Sequence, residues 1–135
     1  MAELRSTHLH ENGKKVWRLQ ALSTEVYDVD KGGMVTTDLV DFNDSNFTSR
    51  FGGYVPVQIT FYDSRNFEVL YHTADGPIEG NGRWTKNADH IILQQNTGDE
   101  IELPKAVLAA KDQFHSEYAY LGGNMDIKQL KYRAI

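Results

Sequence analysis

The chain contains no cysteine. That excludes a disulfide framework, a thiolate nucleophile and any cysteine-ligated zinc or iron site, and it fits reducing and oxidising compartments alike. Proline occurs three times and never as a repeat, so no polyproline linker divides the chain. No stretch approaches the roughly 20 apolar residues that a membrane-spanning helix needs. Residues 1–12 include Glu3, Arg5, His8, His10 and Glu11 and lack the apolar centre of a signal peptide. The chain as given is therefore expected in the cytoplasm, or in the periplasm or outside the cell if an export signal has been trimmed. Basic clusters are also missing. With 14 Lys and Arg against 19 Asp and Glu the net charge is −5, a balance that repels a phosphate backbone and excludes nucleic acid as the expected partner.

What is present favours β structure. Of 135 residues, 40 are Val, Ile, Thr, Tyr, Phe or Trp, and 20 are Ala or Leu. Residues 1–13 read as a polar arm or capping element ending in the turn pair Asn12-Gly13, and residues 14–135 as a single domain. From Val16 to Tyr27 the sequence alternates, with Trp17, Leu19 and Ala21 on one face. The phase slips between Leu22 and Val26, which predicts a bulge and a bent strand. Asp30 to Gly33 reads as a turn, residues 34–42 as a strand and residues 43–53 as a loop long enough to form a rim or lid. Val55, Val57, Ile59 and Phe61 share a face, Asp63 to Asn66 turn the chain, and Phe67, Val69 and Tyr71 return it as a hairpin.

Short strands follow at 80–86, 90–95, 100–108, 113–120 and 125–133, with turns between them, the last at residues 121–124. Pro104 interrupts the third of these, either as an edge or bulge residue or as the start of a short helix. Hairpin connections without long crossovers imply one antiparallel sheet. About eight such strands predict an all-β fold, an up-and-down barrel, with a two-sheet sandwich as the alternative.

The segment Gly80-Asn81-Gly82-Arg83-Trp84-Thr85, the hairpin pair at 91–95 and 100–103, and an opening strand with Trp17 and Leu19 resemble the small bacterial lipocalin-like proteins of the calycin group. Lys15 stands where that family's opening signature places a glycine, and the nearest glycine is Gly13. The resemblance implies a lipocalin-like barrel in which Trp17 packs under Arg133 of the last strand.

A barrel of this size is either filled by its own side chains or holds one small ligand. The strand aromatics Trp17, Phe61, Phe67, Tyr71, Trp84, Phe114, Tyr118 and Tyr120 are the candidate ligand-binding residues, since they supply apolar wall and, from the tyrosines, hydroxyl donors. The same rings equally make a packed core. His115 and Glu117, two apart on a predicted strand, form the most enzyme-like pair, a carboxylate placed to orient an imidazole; a polar outer strand face gives the same pattern. His8, His10 and Glu11 read as a polar arm before a metal site. His72 and His90 flank the glycine-rich turn. The Asp28–Asp30 loop places Leu39 where a calcium loop requires a bidentate acid, so calcium is excluded. No catalytic motif occurs, and no cofactor and no metal is expected.

The leading expectation is thus a barrel that binds a small apolar or amphipathic molecule without chemistry. The alternatives are a filled barrel that serves as a protein-interaction scaffold, and a barrel enzyme using His115 with Glu117.

Overall fold

The structure is a computed structural model that describes residues 2–120 and 126–135; the turn expected at 121–124 lies outside the described residues. Twelve strands carry the fold: β1 (Ala2–Glu3), β2 (Lys14–Asp28), β3 (Gly33–Leu39), β4 (Gln58–Tyr62), β5 (Asn66–Thr73), β6 (Gly76–Asn87), β7 (His90–Gln95), β8 (Glu100–Leu103), β9 (Val107–Ala110), β10 (Gln113–Ser116), β11 (Ala119–Tyr120) and β12 (Ile127–Ala134). Three short helical turns complete it among the described residues: α1 (Ser6–Leu9), a 3-10 turn (Glu11–Gly13) and α2 (Ser45–Thr48). All pairing is antiparallel. The hydrogen-bonded order is β1-β9-β10-β12-β2-β4-β5-β6-β7-β8-β11, and β3 branches from β2.

The all-β, antiparallel reading holds, but the closed barrel of about eight strands does not form. The sheet is instead a curled half-barrel whose eleven-strand path has two ends. The chain itself supplies the reason. Pro104 has no N–H to donate, and Lys105 turns with φ of 53°, so the ladder breaks between β8 and β9. Opposite this break, β10 and β11 separate at Glu117 and Tyr118. A single backbone bond, from the Glu117 N–H to the Pro104 oxygen at 2.9 Å, spans the interrupted stretch.

Strand β2 organises the sheet. Its first residues pair with β4, from Lys14 opposite Tyr62 to Arg18 opposite Gln58, and its last with β3, from Leu22 opposite Leu39 to Asp28 opposite Gly33. Its other edge carries β12, where the register shifts between Ile127 and Gln129, opposite Ser23 and Thr24. That irregularity lies beside the position where the alternation of β2 slips. Four successive residues, Ala21 to Thr24, are buried there as the strand leaves the main curl and enters the β2–β3 hairpin.

The concave side of the curl is packed solid by alternation. Trp17 and Leu19 from β2, Ile59 and Phe61 from β4, Phe67 and Val69 from β5, Trp84 from β6, Ile91 and Leu93 from β7, and Phe114 and Tyr132 from β10 and β12 are all nearly inaccessible. The rings interlock: Trp17 meets Phe114 edge-on at 4.9 Å, Phe61 meets Trp84 at 5.3 Å, and Phe114 stacks on Tyr132 at 5.2 Å. Gly82 lets β6 and β7 approach, since a Cβ there would lie 2.0 Å from the Gln94 carbonyl oxygen.

Two segments outside the strands close the ends. At the Lys14 end of β2, Leu4 and Leu9 of the N-terminal segment are buried, and the Trp17 indole donates to the Leu9 carbonyl. At the opposite end, by His72 of β5, residues 44–57 insert Phe47, Phe51 and Val55 into the core. Asp44 caps α2 by accepting from the Asn46 N–H at 2.8 Å. The loop expected to act as a lid thus contributes buried rings to the core.

Candidate functional site

The eight aromatics singled out by the sequence fall into two groups. Trp17, Phe61, Phe67, Trp84 and Phe114 are at most 1% exposed. Their polar atoms are used internally, the Trp84 indole donating to the Tyr62 carbonyl at 3.0 Å. The cation over Trp17 is Lys15, 4.9 Å from the ring centre, while Arg133 sits in register with Arg18 and Gln113. Trp84 has its own cation, the Arg65 guanidinium at 4.4 Å.

Tyr71, Tyr118 and Tyr120 gather at the α2 end. There they meet Tyr54, which sequence reasoning missed because it lies in a loop with no alternation to mark it. The Tyr118 hydroxyl donates to the Tyr54 carbonyl at 2.9 Å, Tyr71 donates to Gln95 Oε1 at 2.9 Å, and the Tyr54 and Tyr120 rings meet edge-on at 5.2 Å. Between them lies a recess of about 200 Å³ lined by Tyr54, Tyr71, Thr73, Gln95, Ile101 and Tyr120. Burial pushes the Tyr71 phenol well above its ordinary range, with Asp99 adding to the effect. Burial likewise raises Tyr118, with Tyr71 the next contributor. These hydroxyls stay neutral donors at physiological pH.

The expected His115 and Glu117 pair takes different partners. His115 projects from β10 opposite Lys131, and partial burial followed by the Lys131 charge lowers its pKa. Glu117 lies beyond the end of β10 and pairs with Lys105 Nζ at 3.0 Å, so its carboxylate faces a lysine. Ser116 points inward, buried, with no hydrogen-bond partner among the described residues. His90 Nε2 meets Glu102 at 2.9 Å on the outer face. His72 lies at the other end of the neighbouring strands, with a buried Nδ1 that has no partner among the described residues. His8 accepts the Arg5 N–H, and His10 sits against Trp84 at 5.9 Å. Asp28 accepts the N–H groups of Asp30 and Lys31 and so closes the hairpin turn. Among the described residues no three His, Asp or Glu side chains gather in a way that could hold a metal.

The larger concavities lie on the outside. One, of about 550 Å³, runs over the outer face of β2, β4 and β5 past Lys14, Thr60, Tyr62 and Glu68. Another, of about 400 Å³, lies between residues 40–43 and the sheet, with Arg18, Phe42, Leu70 and His72 among its walls. The most apolar exposed surface is on the β2–β3 hairpin and its flank, where Val29 is 82% exposed, Val40 67%, Tyr27 63% and Met34 58%.

Fold and surface together define an all-β protein: a curled antiparallel sheet with a filled concave side, a small tyrosine-lined recess and a projecting hairpin. Comparison with protein-family models, with curated proteins and with solved structures returned no match. Among the described residues no helix is long and apolar enough to cross a membrane.

Proposed function

We propose that the protein is a non-catalytic interaction module, in which the packed sheet is a scaffold and the exposed hairpin and loops meet a protein partner. The observation that carries this reading is the occupancy of the concave side by the chain's own side chains, with five of the eight candidate ligand-binding aromatics at most 1% exposed. Interiors packed in this way leave no room for a drug-sized guest. The exposed apolar residues of the β2–β3 hairpin are the kind of surface that marks a partner site.

A second reading is supported by the recess among Tyr54, Tyr71 and Tyr120. At about 200 Å³ it is smaller than the roughly 300–1,000 Å³ of most ligand pockets. It suits a compact amphipathic molecule that accepts a tyrosine hydrogen bond, and the resemblance to lipocalin-like proteins belongs with this reading.

Native mass spectrometry of the chain purified from its host, after crosslinking in the cell, separates the two. The interaction reading expects a stoichiometric protein partner and no retained small molecule. A stoichiometric apolar molecule without a protein partner would replace it with the ligand reading.

A further inference from the structure

Strand β3 is the longest strand among the described residues that pairs along one edge only. The main path ends in β1 and β11, each only two residues long, whereas β3 runs for seven residues and pairs with β2 alone. Its ladder with β2 shows no register shift from Leu22–Leu39 to Asp28–Gly33, in contrast to the β2–β12 and β9–β10 ladders.

Folded proteins blunt such edges with lysine, proline, a bulge or a short strand. The β3 sequence Gly33-Met34-Val35-Thr36-Thr37-Asp38-Leu39 has neither lysine nor proline. Its single charge, Asp38, accepts the Ser23 hydroxyl on β2 at 2.6 Å, so the carboxylate is drawn over the neighbouring strand and away from the free edge. Val35, Thr36 and Thr37 are β-branched and suited to a further cross-strand neighbour. Tyr27 pairs with Met34 on one face of the hairpin and Val26 with Val35 on the other, which gives an added strand apolar contacts on both sides.

Charge selects the occupant. Between Val26 and Asp41 the chain carries Asp28, Asp30, Asp38 and Asp41 against the one cation Lys31. A second copy would bring the same acidic arm alongside. A segment with Lys or Arg along one face would instead bring cations beside this acidic arm.

We propose, resting on the interaction reading above, that the free edge of β3 takes an extended, positively charged segment of a partner protein as an added strand. Main-chain hydrogen bonds would hold the segment, and alternate side chains would meet Met34 and Thr36 on one face and Val35 and Thr37 on the other.

The test uses the full chain and a labelled nine-residue peptide, Lys-Val-Thr-Val-Lys-Val-Thr-Val-Lys, with a glutamate-for-lysine version as control. Fluorescence anisotropy is expected to show saturable binding that is at least roughly tenfold weaker for the control. Binding should weaken by a similar factor between about 0.05 M and about 0.5 M salt. Amide NMR shifts should be confined to residues 33–39 and the β2 residues paired with them.

Because successive residues of an edge strand point their N–H groups in opposite directions, one of Thr36 and Thr37 directs its N–H to the free edge. Of Thr36→Pro and Thr37→Pro, one is expected to abolish binding while keeping the parent unfolding midpoint. The inference is overturned if the lysine peptide does not bind, if neither proline variant weakens it, or if the edge is filled by a second copy in sedimentation analysis. Should host crosslinks map a partner to another surface, this inference fails while the interaction reading stands. Recovery of a small molecule alone removes both.

Discussion

The indole N–H of Trp17 donates to the carbonyl oxygen of Leu9 at 3.1 Å, joining the first long strand to the segment that precedes it. Leu9 is fully buried in the same core cluster. Its polar neighbours hide this role, since His8 and His10 on either side remain partly accessible.

Leu9→Ala is therefore expected to destabilise the protein by about 2–5 kcal/mol, the range for a buried leucine whose site cannot collapse. Urea unfolding followed by tryptophan emission reads the change. A loss below about 0.5 kcal/mol, typical of surface positions, would mean the N-terminal segment is not part of the cooperative core.

Tyr132 makes a second tie, its hydroxyl donating to the Pro56 carbonyl at 2.7 Å inside the core. Tyr132→Phe leaves that carbonyl without its partner and should cost about 1–3 kcal/mol. Burial raises the Tyr132 phenol well above its usual range, as it does Tyr71 and Tyr118. A group whose folded pKa is raised holds its proton longer in the folded state. Its stabilisation is therefore complete below the unfolded value of about 10 and declines as pH rises above it. Tyrosinate absorbance from these three residues should thus appear with unfolding in an alkaline titration; its appearance in the intact fold would refute their burial.

Gly52 seats the α2 segment. A Cβ there would lie 2.3 Å from the His72 carbonyl oxygen and 2.4 Å from that of Thr48, both backbone atoms. Gly52→Ala should destabilise by about 1–3 kcal/mol through forced displacement. At the adjacent Gly53 a Cβ would meet nothing within 4 Å. Gly53→Ala should stay within about 0.5 kcal/mol of the parent, and equal effects at the two positions would contradict the seating.

His115 provides a pH test of the outer face. Partial burial and the Lys131 charge lower its pKa, so its neutral form is favoured in the folded state. The sign follows from linkage: this contribution is complete above the unfolded value of about 6.5 and is lost as pH falls through the lower folded value. NMR titration of the His115 ring should give a midpoint below that of an unfolded reference peptide, and Lys131→Gln should move it upward. A midpoint above the reference would restore a carboxylate partner for the imidazole.

Much of the sheet was legible because alternation is a local property. Val55, Val57, Ile59 and Phe61 announced a buried face, and all four are at most 4% exposed. The slip after Leu22 lies beside a real shift in the β2–β12 register. Pro104 was marked as a break, but nothing local showed that Glu117 and Tyr118 would interrupt the opposing strand at the same level. Two expected strands therefore became four short ones. Seven of the eight candidate ligand aromatics lie on strands, Tyr118 falling instead in the gap between β10 and β11, yet whether each ring would line a space or fill it depends on what arrives from elsewhere in the chain.

Composition and periodicity by themselves determined an acidic, cysteine-free, antiparallel β protein, because strand pairing is written in a period of two and in turn residues. The tertiary structure decided the rest. It brought Leu9 and Phe47 from polar-looking segments into opposite ends of the curl and placed Lys105 against Glu117. Among the described residues it also left β3 without an outer neighbour. These outcomes depend on contacts between residues far apart in sequence, and side-chain volume and loop placement settle such contacts only when the whole sheet closes on its core.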